Sequence, residues 1–289
     1  MKFAFFGGEP LAVPVLNELK DFGLIPSLIV CNPDRPSGRG QKLTSPPVKI
    51  WAEAEGVEVF QPNNYKDGEA KTKLTDEKWD LFVVVAYNFI LPKWLLDLPA
   101  KNTLNVHPSL LPRLRGASPI RTAILENLPE EIGVTIMLLD EKMDQGPILE
   151  QVPLQISKEN WPMPGPMLDT ALANLGGSLL ANTITDWIND DISPQEQDHE
   201  QATYCSKLDP VNRELKIDPR KLPVGSEAKQ TWHTICAFAG VGDTYFIHEG
   251  KRVKVNKAEW TEGGSLRLLR VTPEGKKEIS IKDYLNSNN

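Results

Sequence analysis

Asn105 and His107 are the residues of this sequence whose types and spacing most invite a chemical reading. They lie two apart in "TLNVH" (103–107), a short apolar run that ends at the proline-punctuated "PSLLPRLRG" (108–116). In a β-strand, residues i and i+2 share a face. The carboxamide and the imidazole should therefore project together from the strand's carboxyl end. A carboxamide N–H donates to an oxyanion, and an imidazole exchanges a proton near neutral pH. A third group stands in "LLDEKMDQGPIL" (138–149), where Gly146 permits a sharp turn. Asp144 there offers a carboxylate that would orient His107 and stabilise its protonated form. Asp140 and Glu141 compete for that role. Asn, His and Asp at the ends of neighbouring strands suit acyl-type transfer and require no metal. The plain alternatives are a satisfied structural histidine and a solvated turn carboxylate.

The elements that must position these groups alternate between strand and helix. "KFAFFG" (2–7), "PSLIVCN" (26–32), "VEVF" (57–60), "LFVVVAY" (81–87), "TLNVH" (103–107) and "VTIMLLD" (134–140) are short apolar runs rich in β-branched or aromatic residues. Continuous runs of that kind suit strands buried on both faces. Helical patterns fall between them at 11–23, 47–56, 68–78 and 118–128, and a longer one at 166–189. The expected class is α/β, a doubly wound, mainly parallel, Rossmann-like sheet. In such sheets ligands bind outside the carboxyl ends of the strands, which is where Asn105 and His107 fall. Residues 7–8 are followed by no G-x-G-x-x-G pattern, so a dinucleotide is not indicated. The expected domains are 1–189, a polar linker at 190–205, and a small C-terminal domain at 206–289. There "YFIHEGKRVKVNKAEW" (245–260) reads as a hairpin, with Val253 and Val255 alternating against Lys and Arg. The closing strands would be 265–271 and 277–281, giving a small, OB-like β-barrel.

Composition narrows the class. The chain has 289 residues, 40% hydrophobic and 25% charged, as a soluble globular protein does. No apolar stretch approaches the roughly 20 residues of a membrane helix, and "MKFAFFGG" reads as a buried strand too short for a signal-peptide core. Three scattered cysteines form neither a disulfide framework nor a metal spacing. A reducing cytoplasm is expected. Charge is uneven: residues 1–199 carry 17 Lys+Arg against 27 Asp+Glu, a net of −10, and 200–289 carry 15 against 12, a net of +3. A basic tail on an acidic body suggests that the tail meets an anion. The loop "DRPSGRGQKLTSP" (34–46) sets Arg35, Arg39 and Lys42 among Gly and Pro, the composition of a flexible cationic arm.

"NVHPSLLPRLRGASPI" (105–120) with "GVTIMLLDEKMDQGPIL" (133–149) resembles the core of the folate-dependent formyltransferases. "FGGEPLAVPVLNEL" (6–19), "VVVAYNFILP" (83–92) and "ATYCSKLDP" (202–210) are similar to the same family. "NPDRPSGRGQKLTSPPVK" (32–49) points to its branch that acts on initiator methionyl-tRNA. The resemblance covers most of 1–215 and fades toward the C-terminus. It implies that Asn105, His107 and Asp144 are the catalytic triad. It implies that Ser109, Leu110, Leu111 and Pro112 form the folate-binding loop, with Tyr87, Asn88, Phe89 and Ile90 helping to hold the pterin. The implied donor is 10-formyltetrahydrofolate, with no metal, and the implied partner is initiator methionyl-tRNA. For the tRNA, Arg39 and Lys42 would meet the acceptor end, and Lys251, Arg252 and Lys254 the phosphates. A monomer is expected. Four features depart from the family: "GGEP" at 7–10, Pro108 after the histidine, "AFAGVGDTYF" near 238–246 in place of an aromatic, proline-rich turn, and the short C-terminal domain. Rival readings are formyl transfer to a nucleotide-sugar amine, hydrolysis of the formyl donor, and a non-catalytic RNA-binding protein.

Overall fold

A computed structural model describes residues 1–37, 40–66 and 68–287. In chain order the elements begin β1 (Phe3–Gly7), α1 (Ala12–Asp21), β2 (Leu28–Val30), β3 (Arg35–Ser37), β4 (Lys42–Thr44), α2 (Pro47–Glu55), β5 (Glu58–Phe60), α3 (Gly68–Thr75), β6 (Leu81–Val85), α4 (Lys93–Leu96) and β7 (Thr103–His107). They continue through β8 (Arg115–Gly116), α5 (Pro119–Glu126), β9 (Gly133–Leu138), β10 (Ile148–Pro153), α6 (Gly165–Ile188), β11 (Tyr204–Cys205) and α7 (Gly225–Phe238). The chain closes with β12 (Tyr245–His248), β13 (Lys251–Trp260), β14 (Leu266–Pro273), β15 (Ile279–Ser280) and α8 (Ile281–Asn286). Among the described residues no helix is long and apolar enough to cross a membrane.

Among the described residues seven strands make the main sheet, in the order β10-β9-β7-β6-β1-β2-β5. The five from β7 to β5 run parallel, and β9 and β10 are antiparallel additions at one edge. The order reverses at β1, so the crevice of this doubly wound sheet opens between the carboxyl ends of β1 and β6. Every residue of β1 and β6 is buried, as continuous apolar runs require. On one face Phe6, Val30, Phe82 and Val84 pack with Leu74, Trp79, Leu95 and Leu96. Burying each such side chain is worth roughly 1.5–3 kcal/mol. α1 buries Ala12, Val15, Leu16 and Leu19, the i, i+3, i+4, i+7 stripe of an amphipathic helix. Gly176 and Gly177 of α6 permit close approach. A Cβ on Gly176 would lie 2.9 Å from Val106 Cγ1, and one on Gly177 would lie 2.6 Å from Glu18 Cβ.

The chain divides into two compact units. One holds Met1–Gly116, Glu131–Leu154 and Asp169–Tyr204; the other holds Ala117–Glu130, Gln155–Leu168 and Cys205–Asn289. The second unit is built on the antiparallel sheet β12-β13-β14-β15, the barrel-like tail in reduced form. Its core is Leu215, Phe246, Val253, Val255, Leu268, Val271 and Tyr284. The alternation of "KRVKV" holds, with Val253 and Val255 inside and Arg252 and Lys254 on the other face. The register slips around Lys257. Only Ile279–Ser280 of the expected strand 277–281 pairs, and the chain turns at once into α8. α7, opposite α5, is an element that the sequence pattern does not announce.

Candidate active site

β7 ends at the carboxyl edge of the sheet, where Asn105 is level with Val84 of β6 and Phe6 of β1. Asn105 is half-buried there, and among the described residues nothing hydrogen-bonds its carboxamide. Its N–H donors are thus uncommitted. His107 is 4% exposed. Its Nε2 lies 3.1 Å from the Leu114 carbonyl oxygen, and a carbonyl can only accept, so Nε2 carries a proton. Its Nδ1 faces Asp144 Oδ1 at 3.7 Å, too long for a hydrogen bond but within ion-pair reach once the ring is protonated. The other carboxylate oxygen, Oδ2, accepts from the Gly116 backbone N–H at 2.7 Å. Asp140 and Glu141, the sequence's rivals for this place, are exposed.

Asp144 does not arrive there as the end of a parallel neighbour. β9 is antiparallel to β7, so His107 pairs with Thr135 and Leu104 with Leu138. Strand direction therefore carries the chain away from His107, and residues 139–147 must fold back. The return closes where Leu138 N donates to Pro147 O at 2.9 Å. Gly146 makes it possible, because a Cβ there would stand 2.0 Å from Leu138 O. Asp144 itself has a φ of 55°, a left-handed conformation that Asp tolerates better than most residues.

The "SLLP" loop is held from beneath. Thr135 Oγ1 donates to Ser109 O at 2.7 Å and accepts from Leu111 N at 3.1 Å and from Gln151 Nε2 at 2.7 Å. Gln151 Nε2 also reaches Leu111 O at 2.8 Å. Ser109 is fully buried and its hydroxyl donates to Arg113 O at 2.7 Å. Leu111 is buried, while Leu110 and Pro112 are half-buried. Ser109 and Leu111 thus shape the loop from inside. Tyr87 and Phe89 are half-buried in an edge-to-face aromatic cluster with Tyr65. The Tyr65 and Tyr87 hydroxyls share a 2.8 Å hydrogen bond, and burial pushes both phenols up, so both stay protonated. Asn88 is exposed and donates to Glu9 Oε1 at 2.6 Å; Ile90 is 86% exposed.

The cationic loop has a structured base. β3 and β4 pair as a hairpin, Arg35 with Thr44 and Ser37 with Lys42. Asp34 anchors it, accepting from Lys49 Nζ at 2.9 Å, Gln61 Nε2 at 2.8 Å and Ser45 Oγ at 3.1 Å. These hydrogen bonds, Gln61 first, hold its carboxyl below the usual range. Lys42 is exposed on β4; Arg39 lies outside the described residues. In the second unit Lys251 and Arg252 are exposed, the Arg252 guanidinium lies 3.8 Å over the Tyr245 ring, and Lys254 Nζ pairs with Asp243 Oδ2 at 2.8 Å.

Sequence reasoning missed Arg115 and Gln197. Arg115 is 1% exposed and Gln197 5%, and Gln197 lies within the segment expected to be a linker. Arg115 Nη2 donates to Gln197 Oε1 at 2.6 Å, and Gln197 Nε2 donates to the carbonyls of Asp144 at 3.0 Å and Gly146 at 2.7 Å. Nothing in a uniformly polar run distinguishes one glutamine from the next.

The chain matches the formyl transferase family over residues 1–162. It is 33% identical over 309 residues to a methionyl-tRNA formyltransferase of Methylococcus capsulatus, covering 99% of this chain and 97% of the relative. It is 34% identical over 310 residues to that of Acidobacterium capsulatum, covering 100% and 97%. Among solved structures, a 4-N formyltransferase from Francisella tularensis superposes with a TM-score of 0.64 at 22% identity, over 88% of this chain and 96% of the other. That last likeness concerns the fold alone.

Proposed function

The chain belongs to the formyl transferase family, and on that premise we propose that its site moves a formyl group from 10-formyltetrahydrofolate to the α-amino group of methionine on initiator methionyl-tRNA. The observation that carries the reading is the uncommitted Asn105 carboxamide beside a buried imidazole that faces a carboxylate at 3.7 Å. These residues fit an acyl donor: one uncommitted N–H donor and one proton-exchanging ring stand on the same strand face. Asn105 donates to the formyl oxygen as negative charge grows there. The Leu114 carbonyl fixes the His107 tautomer with hydrogen on Nε2, leaving Nδ1 to take up and release the proton. Asp144 stabilises the imidazolium that results. The neutral acceptor amine attacks the formyl carbon, the bond from that carbon to the folate nitrogen breaks, and the amine's proton passes by way of His107 to the departing nitrogen.

In this reading the loop Ser109, Leu110, Leu111 and Pro112 forms the wall against the folate, with Ser109 and Leu111 holding its shape from inside, and Tyr87, Asn88, Phe89 and Ile90 flank its ring. Arg39 and Lys42 serve the acceptor end of the tRNA, and Lys251, Arg252 and Lys254 its phosphates. Residues 1–189 act as the catalytic domain, 190–205 as the connection, and 206–289 as the tRNA-contacting domain. The chain works as a monomer in the cytoplasm, where translation begins. The test incubates it with formyltetrahydrofolate and charged initiator tRNA, an amino-sugar nucleotide, or neither. Formyl-methionyl-tRNA is the expected product; a formylated sugar, or formate released without an acceptor, sinks the assignment.

A further inference from the structure

A guanidinium as buried as that of Arg115 persists only where its donors are satisfied. Its Nε and Nη2 donate to Gln197 Oε1 at 3.1 and 2.6 Å, Nη1 donates to the Tyr204 hydroxyl at 3.1 Å, and Nη2 lies 2.8 Å from His199 Nδ1. This fork decides how the Gln197 amide faces. With its oxygen claimed by Arg115, its NH₂ must point the other way, and there it meets the carbonyls of Asp144 at 3.0 Å and Gly146 at 2.7 Å. Those two carbonyls bracket the left-handed turn that presents the Asp144 side chain. On the other side Gly116 N–H holds Oδ2. Gly116 follows Arg115 directly, so one short stretch grips both the backbone and the side chain of Asp144. The rest of the return loop gives it little hold, since Asp140, Glu141, Lys142 and Met143 are exposed.

We infer that Gln197, oriented by Arg115, is a positioning residue for formyl transfer that sets the Asp144 carboxylate at its working distance from His107. The inference rests on the formyl-transfer reading above. It requires an amide and not merely a hydrogen-bonding side chain. A carboxylate at 197 would still accept from Arg115, but it has no N–H for the two carbonyls and would repel them.

The experiment compares full-length wild type with Gln197→Glu, Gln197→Met, Asp144→Asn and the two Gln197 changes made on Asp144→Asn. It measures kcat and the KM for each substrate with formyltetrahydrofolate and initiator methionyl-tRNA. Gln197→Glu should lose kcat by about tenfold or more with both KM values within about threefold of wild type, the pattern of an interaction that acts in the transition state. On Asp144→Asn it should cost less than about twofold, because positioning acts through the group already removed. A Gln197→Glu enzyme with wild-type kcat overturns the inference, as does an equal loss in both backgrounds. If Gln197→Glu does not fold, as judged by thermal melting, Gln197→Met carries the same test with the same two expectations. A wild type that formylates no tRNA overturns the formyl-transfer reading itself, whereas an active wild type matched by its Gln197 variants overturns only the positioning role.

Discussion

Asn105 and His107 differ in how much of their hydrogen-bonding capacity the fold consumes, and that difference assigns their roles. The His107 Nε2 is committed to the Leu114 carbonyl, so the ring cannot turn without breaking a buried hydrogen bond. The Asn105 carboxamide has no such tie, so its full donor strength is available to a developing oxyanion. Removing one such donor typically costs about 10²–10³ in turnover, roughly 3–4 kcal/mol. Asn105→Ala should therefore lose kcat on that scale while melting near the wild-type temperature, because the substitution breaks no hydrogen bond among the described residues. Steady-state formylation and a thermal melt check both halves; near-normal turnover removes Asn105 from the mechanism. His107→Ala should lose activity as well but should also destabilise, since it empties a buried site. Residues of this sort were legible in the sequence because strand period 2 aligns them. Asp144 was legible only by type and by Gly146. The antiparallel course of β9, hidden in a run that reads the same in either direction, meant that its route to His107 was not.

The elements that escaped the sequence share a physical reason, which is that their buried faces are polar or incomplete. α7 turns His233 and Cys236 inward beside Ala228, Ala237 and Phe238, so its apolar stripe is broken where the helix packs. β10 buries only Leu149, and its edge position leaves the alternation faint. β3 and β4 hide in a Gly- and Pro-rich loop because their pairing is a matter of backbone, with β4 exposed throughout. The polar interior of α7 carries a testable consequence. His233 is 1% exposed, its Nδ1 lies 2.5 Å from the Ile124 carbonyl of α5, and among the described residues its Nε2 has no hydrogen-bond partner. Burial chiefly, with nearby Lys229 adding to it, holds its pKa below 6.5, against a smaller upward pull from the Ile124 hydrogen bond. The unfolded chain therefore binds the proton first as pH falls, and stability drops. The contribution is complete above pH ~6.5 and is lost as pH falls toward the lowered folded value, with a slope of at most about 1.4 kcal/mol per pH unit. His233→Gln should start less stable at pH 7.5 yet lose less on acidification to pH 5.5. Urea midpoints at the two pH values decide it: equal losses in both proteins would show that His233 does not titrate on unfolding.

Across the whole molecule the charge is divided, with a net of −10 over residues 1–199 and +3 over 200–289. An acidic catalytic body is a poor host for a polyanion, so a tRNA needs local cations to offset the general repulsion. In the proposed reading the tail provides them along β13, with Arg252 and Lys254 on its outer face and Lys251 at its turn end, and their contacts rank them. Lys251 and Arg252 are exposed, and Arg252 is stiffened by its place over Tyr245. Lys254 already pairs with Asp243 and must give up that partner to meet a phosphate. Each phosphate contact releases condensed counterions, so losing one flattens the dependence of log affinity on log salt by roughly 0.7–0.9. Lys251→Gln and Arg252→Gln should each produce about that change, and Lys254→Gln distinctly less. Titrating labelled initiator tRNA at several salt concentrations measures it. Slopes left unchanged by all three would remove these tail cations from tRNA binding. Arg39 provides the internal contrast, because among the described residues the β3–β4 hairpin is anchored through Asp34, Lys49 and Gln61. Arg39→Ala should raise the KM for tRNA and leave that for formyltetrahydrofolate unchanged. A parallel rise in both would mean that the loop serves the folding of the crevice and not the reading of the acceptor.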